Sequence, residues 1–230
     1  MKNIAIITAR GGSKRIPRKN IKEFMGKPML AYAVEAALQA GVFDEVMVST
    51  DDAEIVEIAK KYGAKVPFLR SETTANDFAT TKDVLFEVIA EYKKNGVEFD
   101  SFCCIYPCVP FLQADILKNA YENFFSADAG SLIPVVKYSY PIQRAVRVNE
   151  KGLLEFREPE HTFTRSQDLE PMYHDVGMFY FERTKDFVDE ATVFTKKSVL
   201  FEMDERFIQD IDTMEDWEMA EMKYKIIMGK

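Results

Sequence analysis

Histidine, tryptophan and cysteine are scarce in this 230-residue chain, which contains two, one and three of them respectively. A transition-metal centre needs several histidine or cysteine ligands, so the sequence offers little for such a site. The cysteines, Cys103, Cys104 and Cys108, lie in one apolar segment, and three thiols cannot all pair with one another. We interpret them as reduced core residues rather than as a redox or metal site.

Long apolar runs and an excess of positive charge are absent as well. No stretch approaches the roughly 20 apolar residues of a membrane-spanning helix, and residues 1–12 have too short an apolar core for a secretion signal. The net charge of −8 excludes a general affinity for nucleic acid or anionic membranes. The composition predicts a cytoplasmic protein with a normal core, built as one domain or one domain with an inserted lobe.

The chain does show a regular alternation of strand-like and helical patterns through residue 137. The predicted strands are residues 3–8, 45–49, 65–69, 101–106 and 131–137, and the predicted helices are 29–40, 53–62, 80–94 and 113–125. This alternation predicts right-handed crossovers and an α/β fold with a mostly parallel sheet covered by helices on both faces. Two more strands, at 176–182 and 198–203, and a helix that begins after Thr213 complete the chain.

Residues 138–173 interrupt the alternation. This segment is polar, contains Pro141, Pro159 and Pro171, and has one strand-like piece at residues 144–149. We predict that it leaves the sheet as an inserted lobe of a single domain that spans residues 1–230.

The first predicted strand leads directly into TARGGSKRIPRKN, residues 8–20, which holds five cationic side chains in an acidic protein. Ligands of α/β sheets bind beyond the carboxyl ends of the strands, where this loop must lie. Gly11 and Gly12 allow backbone amides to approach an anion, and Arg10 and Lys14 supply charge to phosphate oxygens. The loop matches neither the Walker motif nor GxGxxG. A solvated surface remains an alternative, but the position after the first strand favours a polyphosphate site.

Two aspartates near the other end of the chain, Asp210 and Asp212, are candidates to hold a cation. In an extended segment this spacing directs both carboxylates to one side. Hard oxygen donors that face phosphates suit Mg²⁺, and Mn²⁺ is also possible. The alternative is a solvated strand end that leads into a helix capped by Thr213.

The stretch RGGSKRIPRKNIK resembles the signature of the cytidylyltransferases that activate keto-deoxy sugar acids, the CMP-sialic acid synthetase family. The matched positions are Arg10, Ser13, Lys14, Lys19 and Asn20, with further similarity in VSTDD (48–52), FLR (68–70) and QDIDT (209–213). The resemblance implies a Rossmann-like fold of the nucleotide-diphospho-sugar transferase type. It also implies that the anomeric hydroxyl of a nine-carbon sugar acid attacks the α-phosphorus of CTP and releases pyrophosphate.

Within this family the chain most resembles the branch that acts on pseudaminic acid, through residues 103–113, 140–147 and 164–181. Tyr106 stands where sialic acid synthetases usually carry glutamine, which favours this branch. Sialic, legionaminic or octulosonic acid, or a sugar phosphate, remains an alternative substrate. A non-catalytic nucleotide-binding module is the alternative from another class.

The resemblance also implies the roles of individual residues. The catalytic candidates are Arg10, Lys14, Lys19 and Asp212, and the metal ligands are Asp210 and Asp212. The candidates for substrate binding are Gly11, Gly12, Ser13, Asn20, Arg70, Thr80, Thr81, Tyr106, Gln143, Arg165, Gln167, Asp168, Tyr173, His174 and Asp175. Among these, Arg165 is the preferred partner of the sugar carboxylate, and His174 is either a base or a structural residue. Residues 138–173 resemble the dimerisation lobe of the family, so we expect a homodimer that uses CTP and a sugar acid.

Overall fold

The computed structural model describes residues 1–229, which fold around a seven-stranded mixed sheet. The strands are β1 (Asn3–Thr8), β2 (Glu23–Phe24), β3 (Lys27–Pro28), β4 (Glu45–Ser49), β5 (Ser101–Ile105), β6 (Ser131–Lys137), β7 (Val146–Val148), β8 (Leu154–Phe156), β9 (Tyr173–Asp175), β10 (Phe179–Arg183) and β11 (Ser198–Glu202). The helices are α1 (Met29–Ala40), α2 (Ala53–Lys61), α3 (Glu72–Ala75), α4 (Thr81–Lys94), α5 (Ala114–Ser126), α6 (Thr184–Glu190) and α7 (Met214–Met228). None of the helices in residues 1–229 has the length and apolarity needed to cross a bilayer.

The main sheet has the strand order β11-β6-β10-β5-β1-β4. Strands β1, β4 and β5 run parallel, as do β6 and β11, whereas β10 is antiparallel between β5 and β6. Strand β9 adds a second antiparallel partner at the end of β6. The predicted α/β fold is therefore confirmed, with a mixed sheet. The predicted strand at residues 65–69 is wrong, because only Lys65 forms a bridge, to Met47.

Helices cover both faces of the sheet because the central strands are apolar on both sides. In β1, for example, Ala5 and Ile7 face the cluster formed with α1, α2 and α5, while Ile4 and Ile6 face the cluster formed with α4 and α6. Continuous apolar runs of this kind are typical of parallel strands buried on both faces. The predicted helix starts are also confirmed: Asp52 caps α2, and Thr80 and Thr213 form capping boxes.

A third apolar cluster joins the two ends of the chain. Ile16, which follows β1, and Ile211, which precedes α7, are both fully buried in it. The ring of Phe24 packs edge-on against Trp217 and Tyr224, at centroid distances of 5.3 and 5.6 Å. Phe24 belongs to the β2–β3 hairpin, which the sequence did not predict. This cluster holds the segment after β1 against the segment that contains Asp210 and Asp212.

Residues 138–172 leave the sheet after β6 and return to it with β9. Inside this excursion the predicted strand at 144–149 is present as β7, which pairs with β8 in a hairpin. The backbone amide of Tyr138 donates to the carbonyl of Met172 at 2.9 Å and closes the base of the lobe. Several large apolar side chains of the lobe are exposed, namely Tyr140, Val146, Val148, Leu153, Leu154 and Phe163. Its role in dimerisation stays a prediction.

Candidate active site

The basic loop, residues 9–20, lies beyond the carboxyl ends of β1, β4 and β5, as predicted from its position in the sequence. The register pairs Thr8 with Ser49, so the loop starts beside the end of β4. The backbone amide of Ala9 donates to the Ser49 carbonyl at 3.0 Å, and the buried Asn20 carboxamide donates to the Arg10 carbonyl at 2.8 Å. Asn20 therefore fixes the start of the loop from its far end.

Two carboxylates that follow β4 shape the basic loop. Asp51 Oδ1 accepts a hydrogen bond from the Gly11 amide at 3.0 Å. Asp52 accepts the Arg18 guanidinium, with Arg18 Nη2 at 3.0 Å from Oδ1, while it caps α2. The hydrogen bond from Arg18 is the main reason that the pKa of Asp52 is lowered to about 2. The two aspartates of the VSTDD segment (48–52) therefore hold the basic loop in place.

Gly11 is required by this packing, and we predict that Gly11→Ala destabilises the loop. A Cβ at position 11 would lie 2.7 Å from Asp52 Oδ2 and 3.0 Å from Asp52 Cβ. Since Asp52 is fixed by Arg18 and by α2, the free energy of unfolding should fall by about 1–3 kcal/mol. A Cβ at Gly12 meets no atom within 4 Å, so Gly12→Ala is the matched control. Equal urea unfolding midpoints for the two variants would contradict the packing argument.

Arg10 and Lys14 converge on one carboxylate that the sequence did not single out, Asp77. Arg10 Nη1 lies 3.0 Å from Asp77 Oδ1, and Lys14 Nζ forms an ion pair with Oδ2. The hydrogen bond from Lys14 is the first cause, and the Arg10 charge a smaller one, of a lowered pKa of Asp77. Asp77 lies between α3 and α4, more than 60 residues along the chain from either cation.

Asp212 meets the same basic loop from the other end of the chain. Its Oδ1 lies 2.8 Å from Arg15 Nη2 and 3.6 Å from Lys19 Nζ. Lys19 also donates to the Ile211 carbonyl at 2.6 Å. The structure thus brings Lys19, one of the predicted cations, together with Asp212, and Ile16 and Ile211 of the third apolar cluster hold the two segments in contact. Arg10 and Lys14 pair with Asp77 instead.

The donor set of Asp210 and Asp212 fits an ion that takes its remaining ligands from phosphate and water. Both carboxylates lie near the Cys108 thiol. Burial is the main reason that the pKa of Cys108 is raised to about 12; the charges of the two carboxylates raise it further, and the charge of Lys19 lowers it. Within residues 1–229 no group of three or more His, Cys, Asp or Glu side chains could enclose a metal. Mg²⁺ is commonly held by one or two carboxylates plus substrate phosphates, so the pair suits it.

Cys108 is only partly buried, although all three cysteines were interpreted from the sequence as core residues. Cys103 and Cys104 are fully buried in β5, whereas Cys108 is half-buried beside the basic loop. Its Sγ donates to Asn20 Oδ1 at 3.3 Å. Cys108 therefore belongs to the packing of the site, and its raised pKa keeps the thiol protonated.

Arg70 and Thr80 take part in local structure. Arg70 is buried, donating from Nε to Ser49 Oγ at 3.1 Å and from Nη2 to the Ser49 carbonyl at 2.7 Å. Burial lowers the pKa of its guanidinium, which the Asp51 charge opposes. Thr80 uses its hydroxyl to cap α4 with Asp83. The geometry gives Arg70 a scaffold position beneath the loop that follows β4.

A group of hydroxyls and one carboxylate lies around the carboxyl end of β5. Thr81 Oγ1 is 3.3 Å from Tyr106 Oη, and the Tyr106 ring packs edge-on against Tyr180. Tyr180 Oη donates to Asp175 Oδ2 at 2.6 Å, and the Gly177 amide donates to Asp175 Oδ1 at 2.9 Å. Tyr180 was not predicted from the sequence, because it lies within the apolar run of β10.

The remaining predicted residues on the sugar side lie on β9 and on the lobe. His174 Nδ1 donates to the Asp175 carbonyl at 3.0 Å, which is consistent with a structural role. Gln143 Nε2 donates to the Glu170 carbonyl at 2.9 Å, and Tyr173 pairs with Lys137. Three others, Arg165, Gln167 and Asp168, are exposed on the lobe. In the part of one chain that the structure describes, no hydrogen bond or ion pair joins their side chains to the basic loop.

A separate apolar cavity of about 590 Å³ lies between α4 and α6. It is lined by Ile6, Phe86, Tyr92, Phe102 and Val188, among others, and none of the predicted site residues lines it. The basic loop with its facing carboxylates is therefore the better candidate for the active site, because charge and convergence from distant segments single it out.

Known proteins share both the sequence and the fold of this chain. A family model described as Cytidylyltransferase matches residues 4–224. Pseudaminic acid cytidylyltransferase of Campylobacter jejuni subsp. jejuni is 44% identical over 226 residues, covering 98% of this chain and 97% of that protein. CMP-N,N'-diacetyllegionaminic acid synthase of Legionella pneumophila subsp. pneumophila is 32% identical over 230 residues, covering 96% and 95%.

The solved structure of CMP:2-keto-3-deoxy-manno-octonic acid synthetase complexed with CTP has the same fold. It superimposes with a TM-score of 0.68 at 20% identity, covering 96% of this chain and 98% of that one. The sequence matches extend over almost the whole chain, including the basic loop and the segment of Asp210 and Asp212. The chain therefore belongs to the cytidylyltransferase family.

Proposed function

We propose that this protein transfers CMP from CTP to the anomeric hydroxyl of pseudaminic acid and releases pyrophosphate. The observation that carries the proposal is the contact between the basic loop and Asp212, which places cations and a carboxylate at one edge of the sheet. The substrate is supported by the 44% identity to a pseudaminic acid cytidylyltransferase over nearly the full length of both chains.

In this reaction a bond forms between the sugar oxygen and the α-phosphorus, and the bond from that phosphorus to the pyrophosphate oxygen breaks. Negative charge develops on the leaving pyrophosphate, so cations fixed near it stabilise the transition state. Arg10 and Lys14 are placed for this role because they follow β1 and point to a common anion position, now held by Asp77. Lys19, anchored at the Ile211 carbonyl and close to Asp212, would contact the nucleotide from that side.

Asp210 and Asp212 would hold Mg²⁺ or Mn²⁺, which when bound polarises the α-phosphate and favours ionisation of the attacking hydroxyl. The chain's own contribution is to keep the two carboxylates at the loop, since Ile211 between them is buried. On the nucleotide side we place Gly12, Ser13 and Thr81. Gly12 fits an anion contact because its amide donates no hydrogen bond to any atom of residues 1–229.

The sugar acid would lie beside Tyr106 and Asp175, whose hydroxyl and carboxylate face the same edge of the sheet. A sugar acid also needs a cation for its carboxylate. Arg165, which is exposed on the lobe, would supply it to the site of a second subunit. Gln167 and Asp168, next to it on the lobe, would bind sugar hydroxyls.

The test is to incubate the purified protein with CTP, Mg²⁺ and a panel of pseudaminic, legionaminic, sialic and octulosonic acids. Pyrophosphate release and the mass of the CMP-sugar are measured for each acid, with UTP replacing CTP as the control for the base. We expect transfer with CTP to pseudaminic acid. Transfer to another acid alone would contradict the proposed substrate, and release with none would contradict the proposed function.

We also propose that the protein is a homodimer formed through the lobe. The lobe exposes several large apolar side chains on the hairpin of β7 and β8, where Val148 pairs with Leu154, and exposed apolar surface of this kind is typical of an interface. Leu154→Asp should therefore shift the protein to monomers in analytical ultracentrifugation and lower transfer by about 10-fold or more, since Arg165 would leave the neighbouring site. Ile226→Asp, an equally drastic change at an exposed position of α7, is the control. A wild-type monomer at micromolar concentration would overturn the proposal.

A further inference from the structure

Each of the five cations in the basic loop already has a carboxylate partner within the chain. Arg10 and Lys14 share Asp77, Arg15 and Lys19 share Asp212, and Arg18 binds Asp52 and Glu54. A polyphosphate that uses the loop must compete with at least one of these carboxylates. The question is which of them can leave.

Asp52 is held too firmly to leave. It caps α2 through the amides of Glu54 and Ile55, each at 3.0 Å, and its side chain is only 19% exposed. Displacing it would uncap a helix and leave Arg18 with Glu54 as its remaining carboxylate partner. Asp212 sits on a segment fixed by the buried Ile211 and is a proposed metal ligand, so it is expected to stay beside the phosphates.

Asp77 differs from both. Its side chain is 43% exposed, and its carboxylate accepts no hydrogen bond from any backbone amide of residues 1–229. Arg10 and Lys14 are its partners, and exposed ion pairs of this kind are weak. A ligand with several negative charges can replace it.

The segment around Asp77 keeps its shape without these ion pairs. The side chain of Asn76, the preceding residue, accepts hydrogen bonds from the amides of Phe78 and Ala79 at 2.8 and 3.0 Å. It also donates to the Thr73 carbonyl at 2.7 Å. Residue 77 is therefore presented toward the basic loop by a local turn, and its charge is not needed to form that turn.

We infer that Asp77 is an internal counterion, which positions Arg10 and Lys14 at the anion site. When the nucleotide binds, its polyphosphate displaces the Asp77 carboxylate. The carboxylate orients both cations toward one point, so that they are arranged for phosphate oxygens before a nucleotide arrives. The same contact lowers the affinity for the nucleotide, because the ion pairs must break when it binds. This inference rests on the proposed function for the identity of the anion.

The test uses inorganic pyrophosphate as the probe, titrated calorimetrically into the wild-type protein, Asp77→Asn and Asp77→Glu. Loss of two exposed ion pairs should tighten pyrophosphate binding to Asp77→Asn by about 3- to 10-fold. Asp77→Glu keeps the charge and should restore the wild-type affinity. Asp128→Asn is the matched control, because Asp128 forms an exposed ion pair with Arg183, at 3.6 Å, outside the basic loop.

Steady-state kinetics with CTP supply a second readout, which a purely structural role would not give. The KM for CTP of Asp77→Asn should fall by the same factor as the dissociation constant, with kcat changed less than about twofold, because the counterion is absent from the transition state. Unchanged or weaker pyrophosphate binding by Asp77→Asn would overturn the inference, and so would a wild-type protein that binds no pyrophosphate. Normal binding without CMP transfer would overturn the proposed function alone.

Discussion

Replacement of Asp212 by asparagine should lower kcat for CMP transfer by about 100-fold or more. The carboxylate lies 2.8 Å from Arg15 and 3.6 Å from Lys19, so it orients two cations of the basic loop and is also a proposed metal ligand. Asparagine has nearly the same shape but no charge, so it weakens both roles without opening a cavity. Pyrophosphate release at saturating CTP and sugar acid measures the loss.

A titration with Mg²⁺ separates the two roles of Asp212. If Asp212 and Asp210 hold the metal, Asp212→Asn and Asp210→Asn should both require more Mg²⁺ for half-maximal rate. If Asp212 acts only through Arg15 and Lys19, kcat falls but the Mg²⁺ requirement stays at the wild-type value. Asp204→Asn is the control, because Asp204 lies on the same C-terminal segment and binds Arg206 at 2.9 Å on the surface. Normal activity and normal metal dependence of Asp212→Asn would remove both roles.

The features that could be predicted from the sequence are set by residues that lie close together along the chain. Helix α1 runs over Met29–Ala40 as predicted, because good helix formers are followed by Gly41, which has a φ of 66°. The capping box of Thr213 was visible for the same reason, since the capping residue and its partner Asp216 are three positions apart. The position of the basic loop followed from one rule about the carboxyl ends of strands.

The features that were missed depend on segments far apart in the chain. Asp77 meets Arg10 and Lys14 across more than 60 residues of sequence, and nothing in the sequence near residue 77 marks it. Strand β10 inserts antiparallel between β5 and β6, and its apolar pattern is the same in either direction. A single sequence shows which residues carry charge, but the pairing of those charges is set by tertiary structure.

The largest expected effect on stability concerns Glu182, a carboxyl on the inner strand β10. It lies on β10 opposite Phe102 and Ser131, and it is fully buried. Neither of its carboxyl oxygens has a hydrogen-bond partner in the described part of the chain. Burial, with a smaller contribution from the Asp186 charge, raises the pKa of Glu182 to about 10. Glu182 is therefore protonated in the folded protein at neutral pH, whereas it is ionised in the unfolded chain.

The pH dependence follows from this difference. Between the ordinary pKa of glutamate, near 4.5, and the raised pKa of about 10, the folded state binds one more proton than the unfolded state. The contribution of Glu182 to stability is complete below the lower pKa, and it is lost as the pH rises toward the upper one, at about 1.4 kcal/mol per pH unit. From pH 6 to pH 8 the wild-type protein should lose about 2–3 kcal/mol through this residue alone.

Glu182→Gln removes the titration and keeps the shape, so we expect it to be more stable than the wild-type protein at pH 8 and to differ less at pH 5. Urea unfolding at pH 5, 6, 7 and 8 measures the difference, which should grow by about 1.4 kcal/mol per unit. Glu98→Gln is the control, since it makes the same change at an exposed carboxylate that pairs with Lys93 at 3.5 Å. A constant difference between Glu182→Gln and wild type over this range would show that Glu182 is ionised in the folded protein. In that case a cation or water must reach it inside the sheet, because an unpaired carboxylate there would cost several kcal/mol.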